Sequence, residues 1–484
     1  MHLATKVVYN TIIQVISKII TTVLGLAAVF MMTRYLGKTG FGEYTTIITF
    51  LSFFGIMADL GLTLVTVQMI SRPGVDERKI LNNLFTLRLL SAVIILGIAP
   101  LVAYFFPYEG AIKLGMIIAV FSFLFIAQQQ ILVAVFQKYL RMDKAAIAET
   151  IGRIILVAGV FISVRNNYGL PGIMAAVVAG SAINFLTLWF FARRYSRLGL
   201  AFDFSLWREI IGKSWPLALT IIFNLLYLKT DTLILSLVKT QAEVGIYGAA
   251  YKVVDILTMV PFMFAGVILP ILTADWASGD KERFTRVTQK SFDLMAVLAV
   301  PLVVGAQFLA GPVMIMVAGD DFASSGTVLK ILMAAAGLVF ISAFLSHVIV
   351  ALGLQKKIIG AYLFTAITSV AGYLIFIPRY SYFGAAAVTV YSEATIAALM
   401  FFYVARYAGF WPRLGSVAKS IGAAAVMAAL LALLPISYYA RGWGLIAVLL
   451  GAPAVYFLAL FFFRGISRRD ILYLLNKRPE EEGF

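Results

Sequence analysis

Apolar segments of membrane-spanning length follow one another along almost the whole chain, separated by short loops. A helix needs only about 20 apolar residues to cross the hydrocarbon core of a bilayer. Fourteen such segments can be drawn, and the longest loops, near 193–213, 274–287 and 311–325, are too short to fold as separate domains. Because 62% of the residues are hydrophobic and only 13% are charged, the sequence predicts an all-α integral membrane protein with about 14 transmembrane helices.

The composition also excludes several kinds of chemistry. The chain contains no cysteine and only two histidines, His2 and His347, so thiolate nucleophiles, histidine metal clusters and serine–histidine catalysis lack their residues. We therefore expect no enzymatic activity, no metal and no organic cofactor. The net charge of +16 is carried at the ends of apolar segments, where basic residues face anionic membrane lipids. Nucleic acid is therefore not an expected partner.

The loops differ in their content of lysine and arginine. If the N-terminus is cytoplasmic, the loops on the inner side hold 25 of these residues and the loops on the outer side hold 7. Positively charged loops tend to stay on the cytoplasmic side of a membrane. The asymmetry predicts a multi-pass protein of the inner or plasma membrane with both termini in the cytoplasm.

A short motif occurs twice in the chain. The sequence FGEY at residues 41–44 recurs as VGIY at residues 244–247, an offset of 203 that equals six predicted spans. An even number of spans preserves the direction of crossing, so the halves are expected to be parallel repeats. This predicts two parallel six-helix lobes around a central cavity, at residues 1–200 and 201–408, followed by two extra C-terminal helices and a tail at 409–484.

Polar residues interrupt the first two apolar segments. Asn10, Gln14 and Lys18 recur every four residues, which places them on one face of the first helix. Asp59 lies near the middle of the second segment. Charged side chains are costly in lipid and usually face water or a partner. The stripe therefore predicts that these helices line a wet cavity and that its residues contact the substrate.

Three glycines in the turn between these segments, Gly37, Gly40 and Gly42, are spaced as in some phosphate-binding loops. No lysine–serine or lysine–threonine pair follows the last of them, no strand precedes them, and the loop lies on the predicted outer side. We therefore interpret them as a tight turn between two helices that also allows close approach of the lobes.

Two groups of residues form a recognisable pattern. The first group comprises Leu36, Gly37, Gly40, Phe41, Gly42, Tyr44, Phe53, Phe54, Asp59, Leu60 and Gly61. The second group comprises Trp215, Pro216, Asp231, Gly245, Tyr247, Ala250 and Pro261. Together they resemble the polysaccharide-biosynthesis flippases of the multidrug/oligosaccharidyl-lipid/polysaccharide (MOP) superfamily. This superfamily also contains the multidrug and toxin extrusion (MATE) antiporters and the lipid II flippases. The resemblance implies their fold over essentially the whole chain.

The resemblance also implies a function. Its members are expected to move an undecaprenyl-pyrophosphate-linked oligosaccharide from the cytoplasmic to the outer leaflet. They do so by alternating access through a cationic cavity, with coupling to an ion gradient. The implied partners are the lipid-linked oligosaccharide, a proton or Na⁺ as coupling ion, and membrane lipids. A monomer that works beside polysaccharide polymerase machinery is the implied assembly.

Away from the ends of the predicted spans, three basic residues lack an acidic residue three or four positions away: Lys18, Arg88 and Lys229. A buried charge without a partner is strongly destabilising, so each needs water, a charge on another helix or an anionic ligand. A pyrophosphate suits such a cluster, because a guanidinium binds it with two hydrogen bonds and an ammonium adds charge. We expect these side chains to hold the pyrophosphate. The alternative is an ion pair of Asp59 with Lys18 or Arg88.

Arg153 and Lys252 are two further candidates for the substrate cavity. Each has a carboxylate at helical spacing, Glu149 for Arg153 and Asp255 for Lys252. Residues three or four apart lie next to each other on a helix, so either pair could simply neutralise itself. The sequence leaves the structural and the functional interpretation open for both pairs.

Four carboxylates are candidates for ion coupling: Asp59, Glu393, Glu149 and Asp255. Asp59 and Glu393 lie within predicted spans and have no basic residue at helical spacing. A desolvated carboxylate can carry a proton or bind Na⁺. The alternative for each is hydrogen bonding to polar side chains of neighbouring helices.

Other functions compete with the flippase. A drug or cation antiporter of the MATE type would share the fold but would call for a mainly acidic cavity. A membrane polysaccharide polymerase or ligase would be an enzyme with a catalytic loop on the outer side. The longest outer loop, 311–325, offers only Asp320 and Asp321 as charged residues. A proton-pumping respiratory subunit would be built on inverted repeats, which the six-span offset argues against.

Overall fold

The computed structural model describes residues 3–59, 61–62, 66, 69–70, 76–195, 199–440 and 442–465. All regular elements in these ranges are helices. The helices are α1 (Leu3–Asp59), α2 (Glu77–Tyr104), α3 (Gly110–Lys138), α4 (Met142–Arg165), α5 (Gly169–Ala192), α6 (Phe204–Val238), α7 (Gln241–Ala277), α8 (Lys281–Ala318), α9 (Ala323–Ala351), α10 (Ile359–Ala408), α11 (Gly415–Leu433), the short α12 (Ile436–Tyr439) and α13 (Trp443–Phe462). A single turn of 3₁₀ helix, Asp320–Phe322, precedes α9.

Within these described ranges, 12 helices are long and apolar enough to cross a membrane. Two of them are pairs of helices joined by a residue with non-helical backbone angles, Gly37 in α1 and Ser381 in α10. Counting the two arms of each kinked helix separately gives the predicted number of about 14 segments. The all-α membrane fold is therefore confirmed.

The two kinks are built differently. Gly37 has a φ of 63°, a left-handed conformation that glycine adopts without steric cost. The tight turn predicted there is confirmed. Ser381 has a φ of 52°, which is unfavourable for a residue with a Cβ atom. Its Oγ donates a 2.6 Å hydrogen bond to Glu243 Oε1, and this contact helps to hold the strained backbone.

The chain divides into two compact units, each assembled from separate stretches. Unit 1 comprises Met1–Ala249, Val317–Asp321 and Ala366–Ala385. Unit 2 comprises Ala250–Met316, Phe322–Thr365 and Ala386–Phe484. Because α7 and α10 each contribute to both units, the division does not follow the order of the sequence.

Each unit has its own apolar core. In unit 1, α2, α3 and the start of α6 meet around Leu84, Val135 and Ile210. In unit 2, α8, α11 and α13 pack around Met427 and Tyr456. The Tyr456 hydroxyl has a partner in this apolar core: it donates a 2.8 Å hydrogen bond to a main-chain carbonyl of α8. Such a bond removes the cost of burying a hydroxyl without a partner.

The two copies of the repeated motif pack against each other through glycines, within unit 1. A Cβ atom added to Gly42 would lie 1.7 Å from the carbonyl oxygen of Gln241. One added to Gly245 would lie 2.0 Å from the carbonyl oxygen of Lys38. Residues 38 and 42 correspond to residues 241 and 245 at the same offset of 203, so the contact is symmetric. We call this contact between α1 and α7 the glycine crossing.

Candidate substrate and ion sites

Asn10 is the first residue of the polar stripe of α1, which continues with Gln14 and Lys18, and it binds the connection between α3 and α4. Asn10 is buried, and its Nδ2 donates a 2.7 Å hydrogen bond to the carbonyl of Leu140. Its Oδ1 accepts a 2.8 Å bond from the backbone N–H of Met142. Both bonds go to the connection between α3 and α4, so the amide fixes that connection against α1. Asn10 therefore has a structural task, and the substrate contact at this residue stays a prediction.

Further along α1, the stripe packs against α4. Ser17 is buried and its Oγ donates a 3.2 Å bond to the carbonyl of Ala146. The same hydroxyl lies 3.4 Å from Thr150 Oγ1. These contacts set the rotation of α1 against α4 and place Lys18 beside α4. Gln14, one turn earlier, remains exposed.

Lys18 forms an ion pair with Glu149 on α4. Its Nζ lies 3.6 Å from Glu149 Oε1, and the two side chains are 36% and 37% exposed. The sequence offered Arg153 as the neighbour of Glu149, but in the described part of the chain Arg153 has no carboxylate partner. Its side chain is exposed. The group of Lys18, Glu149 and Arg153 therefore carries one positive charge in excess.

Arg153 does not lie among the apolar residues that α4 exposes. That exposed apolar arc consists of Ile147, Ile151, Ile154, Phe161 and Ile162. At 100° per residue, Arg153 lies roughly a third of a turn from the centre of the arc. It also lies about 16 Å along the helix from Met142, at 1.5 Å per residue, which is near the middle of a bilayer core. An exposed guanidinium at this depth needs water or an anion.

Arg88 is arranged in the opposite way. Its side chain is 1% exposed and forms an ion pair with the carboxylate of Asp59, whose side chain is 13% exposed. A second amino group of Arg88 donates to Gln130 on α3. Ser91, one turn on, donates a 2.8 Å bond to the carbonyl of Ala58. The α1–α2 contact therefore encloses this ion pair. An ion pair of Asp59 with Arg88 is the alternative that the sequence offered to pyrophosphate binding by Arg88.

A buried carboxylate also lies on α6. Asp231 is fully buried and accepts a 2.6 Å hydrogen bond from the hydroxyl of Tyr247. The backbone N–H of Thr232 donates to its other oxygen. Lys229, two residues earlier, is half-buried. Tyr247 is the tyrosine of the repeated motif, so the motif supplies both the glycine of the crossing and a donor to this carboxylate.

Unit 2 holds the remaining predicted residues. Glu393 on α10 is buried, and Ser342 on α9 donates a 3.4 Å hydrogen bond to its Oε2. Lys252 and Asp255 lie on α7 and are both half-buried. Among the residues that the structure describes, no group of three histidine, cysteine or acidic side chains is placed to hold a metal ion.

A comparison with known families decides which family this fold belongs to. The model of a family described as polysaccharide biosynthesis protein matches residues 7–275, more than half of the chain. The chain belongs to this family. A relative is the probable low-salt glycan biosynthesis flippase Agl15 of Haloferax volcanii, 25% identical over 315 residues. The match spans 64% of this chain and 64% of the relative.

Solved structures show the same fold for this family member. The lipid II flippase MurJ in an inward closed conformation matches with a TM-score of 0.75 at 16% identity, over 96% of this chain and 100% of that one. An inward-facing multidrug resistance MATE family transporter of the MOP superfamily matches with a TM-score of 0.68 at 13% identity. That match covers 82% of this chain and 98% of the transporter. The predicted MOP superfamily fold is confirmed.

The fold of this family member brings two of the predicted site residues into contact in unit 1, Lys18 and Glu149. Gln14 lies one turn before Lys18 on α1, and Arg153 lies one turn after Glu149 on α4. The fold separates them from the pair of Arg88 and Asp59, which is enclosed between α1 and α2. The bond between Asp231 and Tyr247 was not predicted, although the repeated tyrosine and a mid-span carboxylate were both visible. Spacing along one helix cannot reveal it, because the two residues lie on different helices.

Proposed function

We propose that this family member is a flippase that moves an oligosaccharide linked to undecaprenyl pyrophosphate from the cytoplasmic to the outer leaflet. Membership of the polysaccharide biosynthesis family supports this function. The name of the relative Agl15, a probable glycan biosynthesis flippase, points to the same class of cargo. Alternating access between the two membrane faces is the mechanism that this fold class suggests.

The observation that carries the proposal is the excess positive charge at mid-membrane depth in unit 1. Lys18 and Glu149 form a half-exposed pair, and Arg153 adds an exposed guanidinium without a carboxylate partner in the described residues. A pyrophosphate brings negative charge and several acceptor oxygens, which a guanidinium can bind with two parallel hydrogen bonds. We assign Arg153 and Lys18 to the pyrophosphate, with Gln14 beside them. Lys229, also in unit 1, is proposed as a further contact, and the substrate contact predicted at Lys252 stays a prediction.

Ion coupling is a second part of the proposal. Glu393, buried and hydrogen-bonded by Ser342, and Asp231, buried and hydrogen-bonded by Tyr247, are the carboxylates that we propose for a proton or Na⁺. A carboxylate in such surroundings binds a cation or a proton to offset its desolvation. The ion would then be released on the other face, which couples its gradient to the movement of the lipid.

Two alternatives are less well supported. A MATE-type antiporter for organic cations would have to place a cation beside an exposed arginine at mid-membrane depth, which is electrostatically unfavourable. A polymerase or ligase needs a catalytic constellation, and neither the family nor the named relatives point to one. We further propose a monomer in the plasma membrane with cytoplasmic termini. Its lobes would be residues 1–200 and 201–408, with 409–484 appended.

The proposal can be tested with purified protein in sealed vesicles. A fluorescent undecaprenyl-pyrophosphate-linked oligosaccharide is added to the lipid, and its exposure to an impermeant quencher is followed over time. We expect exchange between leaflets that exceeds the exchange in protein-free vesicles and responds to a proton or Na⁺ gradient. Uptake of a cationic dye without lipid exchange would favour the antiporter. A new covalent product of the oligosaccharide would identify an enzyme.

A further inference from the structure

The segment that joins α5 to α6 is held against α2 by side chains. Lys79, Asn82, Asn83 and Thr86 lie on one face of α2, at spacings of three and four residues. They hold N–H groups of every second residue of the segment: Asn82 Oδ1 accepts from Gly199 at 3.0 Å, Thr86 Oγ1 from Ala201 at 2.9 Å and Asn83 Oδ1 from Asp203 at 2.8 Å. We call this arrangement the linker clamp.

The clamp continues into the first turn of α6. Asp203 caps that helix by accepting a 3.0 Å bond from the N–H of Leu206, and its other oxygen lies 2.7 Å from Lys79 Nζ. The bond from Lys79 holds the pKa of the Asp203 carboxyl below its usual range. Trp207 Nε1 donates a 2.9 Å bond to Asn83 Oδ1. Position and direction of the segment are therefore fixed by a set of polar contacts.

Three residues next to those held by the clamp have large apolar side chains that are exposed. Leu200, Phe202 and Phe204 are 63%, 60% and 74% exposed. Successive side chains of an extended segment point to opposite sides, so Leu200 and Phe202 share one side of the segment, and Phe204 is the first residue of α6. The ring of Trp207 flanks both phenylalanines, with centroids 5.8 Å and 5.3 Å away. We call Leu200, Phe202 and Phe204 the apolar rail.

The first turns of α6 extend the rail. Arg208, Ile211 and Trp215 are exposed and follow Phe204 at helical spacing on one face. Ile210, on the opposite face, is fully buried in the core of unit 1. The exposed surface of the rail therefore continues onto the first turns of α6.

Exposed arginines flank the rail in the sequence. Arg193 and Arg194, at the end of α5, and Arg208 on α6 are all exposed, whereas Lys213 is paired with Glu209. Large apolar side chains rigidly displayed beside unpaired cations are the features of a segment that lies in the plane of a membrane interface. We infer that the apolar rail is a docking surface for anionic lipid. Leu200, Phe202 and Phe204 insert at the level of the head groups, and the arginines bind lipid phosphates.

Because the chain contains no native cysteine, the inference can be tested with single-cysteine variants of the full-length protein. Leu200→Cys is labelled with an environment-sensitive fluorophore in vesicles that contain phosphatidylglycerol. We expect quenching by lipids that carry a nitroxide near the head group and protection from aqueous iodide. Glu282→Cys, in an exposed polar position at the start of α8, is the matched control and should be quenched by iodide alone.

The clamp provides a second arm of the experiment. Asn83→Ala removes the acceptor for both Asp203 and Trp207, so quenching of the label at residue 200 by nitroxide lipid should fall while the elution volume of the protein stays the same. If Asn83→Ala fails to fold, Thr86→Val tests the single bond to Ala201. Retention of full lipid quenching in both variants would overturn the role of the clamp.

The arginines provide a third arm of the experiment. Replacing phosphatidylglycerol with phosphatidylcholine should weaken insertion of the labelled rail, and Arg208→Gln should weaken it roughly fivefold in anionic vesicles. Arg165→Gln replaces an exposed arginine at the end of α4; it is the control and should have no effect.

A label that is protected from iodide but not quenched by nitroxide lipid would show that the rail packs against protein. A label quenched only by iodide would show that it lies in water. Either result contradicts the inference.

Discussion

Unit 1 contains two charged clusters made from the same types of residue and arranged in opposite ways. In the cluster of Arg88 and Asp59, the guanidinium is 1% exposed and is closed off further by Gln130. In the cluster of Lys18, Glu149 and Arg153, the side chains are accessible and the cations outnumber the carboxylate. The first cluster balances its charges in an ion pair, whereas the second leaves a charge to be neutralised.

This difference separates two tasks that a charge inside a membrane protein can have. An enclosed pair holds helices in register, and removing one partner leaves the other buried and uncompensated. An accessible excess charge contributes little to packing, because water already solvates it in the absence of a ligand. The position and the partners of a charged side chain therefore indicate its task better than its mere presence in a span.

The largest expected effect is the loss of the enclosed pair. Arg88→Leu leaves the Asp59 carboxylate without its partner, which costs about 3–5 kcal/mol in comparable buried pairs. We expect a strongly lowered melting temperature and a low yield of folded protein in detergent. The double variant Arg88→Leu with Asp59→Leu should regain most of the stability. If Arg88→Leu instead folds normally and only transport is lost, Arg88 belongs with the substrate cluster.

The next largest effect is expected at the accessible arginine. Arg153→Gln removes a charged donor to the pyrophosphate, worth about 1.5–3 kcal/mol or roughly 10- to 150-fold in transport. The melting temperature should not change. Arg153→Lys should recover part of the activity, because it keeps the charge but loses the planar fork. Arg165→Gln at the end of the same helix is the control, and equal losses in both variants would contradict the site.

A smaller effect is expected for the half-exposed pair of Lys18 and Glu149, where the two single variants should shift the apparent KM in opposite directions. Glu149→Gln adds to the positive excess and should lower the apparent KM for the lipid-linked oligosaccharide a few-fold. Lys18→Gln removes the positive excess and should raise the apparent KM. Neither should change stability by more than about 1 kcal/mol, as is usual for exposed pairs. A shift of the apparent KM in the same direction for both variants would show that the pair acts as a structural unit.

The smallest effect is expected from salt. Raising the ionic strength screens accessible charges but has little influence on an enclosed pair. The melting temperature of the unaltered protein should therefore remain nearly constant, while the apparent KM rises. This rise should be weaker in Arg153→Gln than in the unaltered protein. A melting temperature that falls steeply with salt would mean that the Arg88–Asp59 pair is open to solvent.

Much of the fold could be predicted because hydropathy and glycine act locally. Apolar length marks each span, and the turn at Gly37 follows from its sequence position. The partner of Glu149 could not be found in this way, since helical spacing points to Arg153 while the observed partner Lys18 lies on another helix. Which cation pairs with Asp59 depends on how the helices rotate against each other. The sequence offered Lys18 and Arg88 as alternatives without deciding between them.

The linker clamp was missed for a related reason. Asn82, Asn83 and Thr86 bind main-chain N–H groups, and a main-chain partner has no signature in the sequence. The signal that was available is the alternation of large apolar side chains at residues 198, 200, 202 and 204. Alternation of this kind indicates an extended segment with one face held and the other face open.

The glycine crossing has a consequence for the history of the chain. Because Gly42 meets residue 241 and Gly245 meets residue 38 at one common offset, two copies of a half-length chain would form the same contact twice through a single glycine. This is the geometry of a two-fold symmetric dimer interface. Fusion of the copies frees the positions around the glycines to diverge, as Glu43 and Ile246 have done. The two glycines cannot change to a larger residue, because a Cβ atom at either position would collide with the backbone of the other copy.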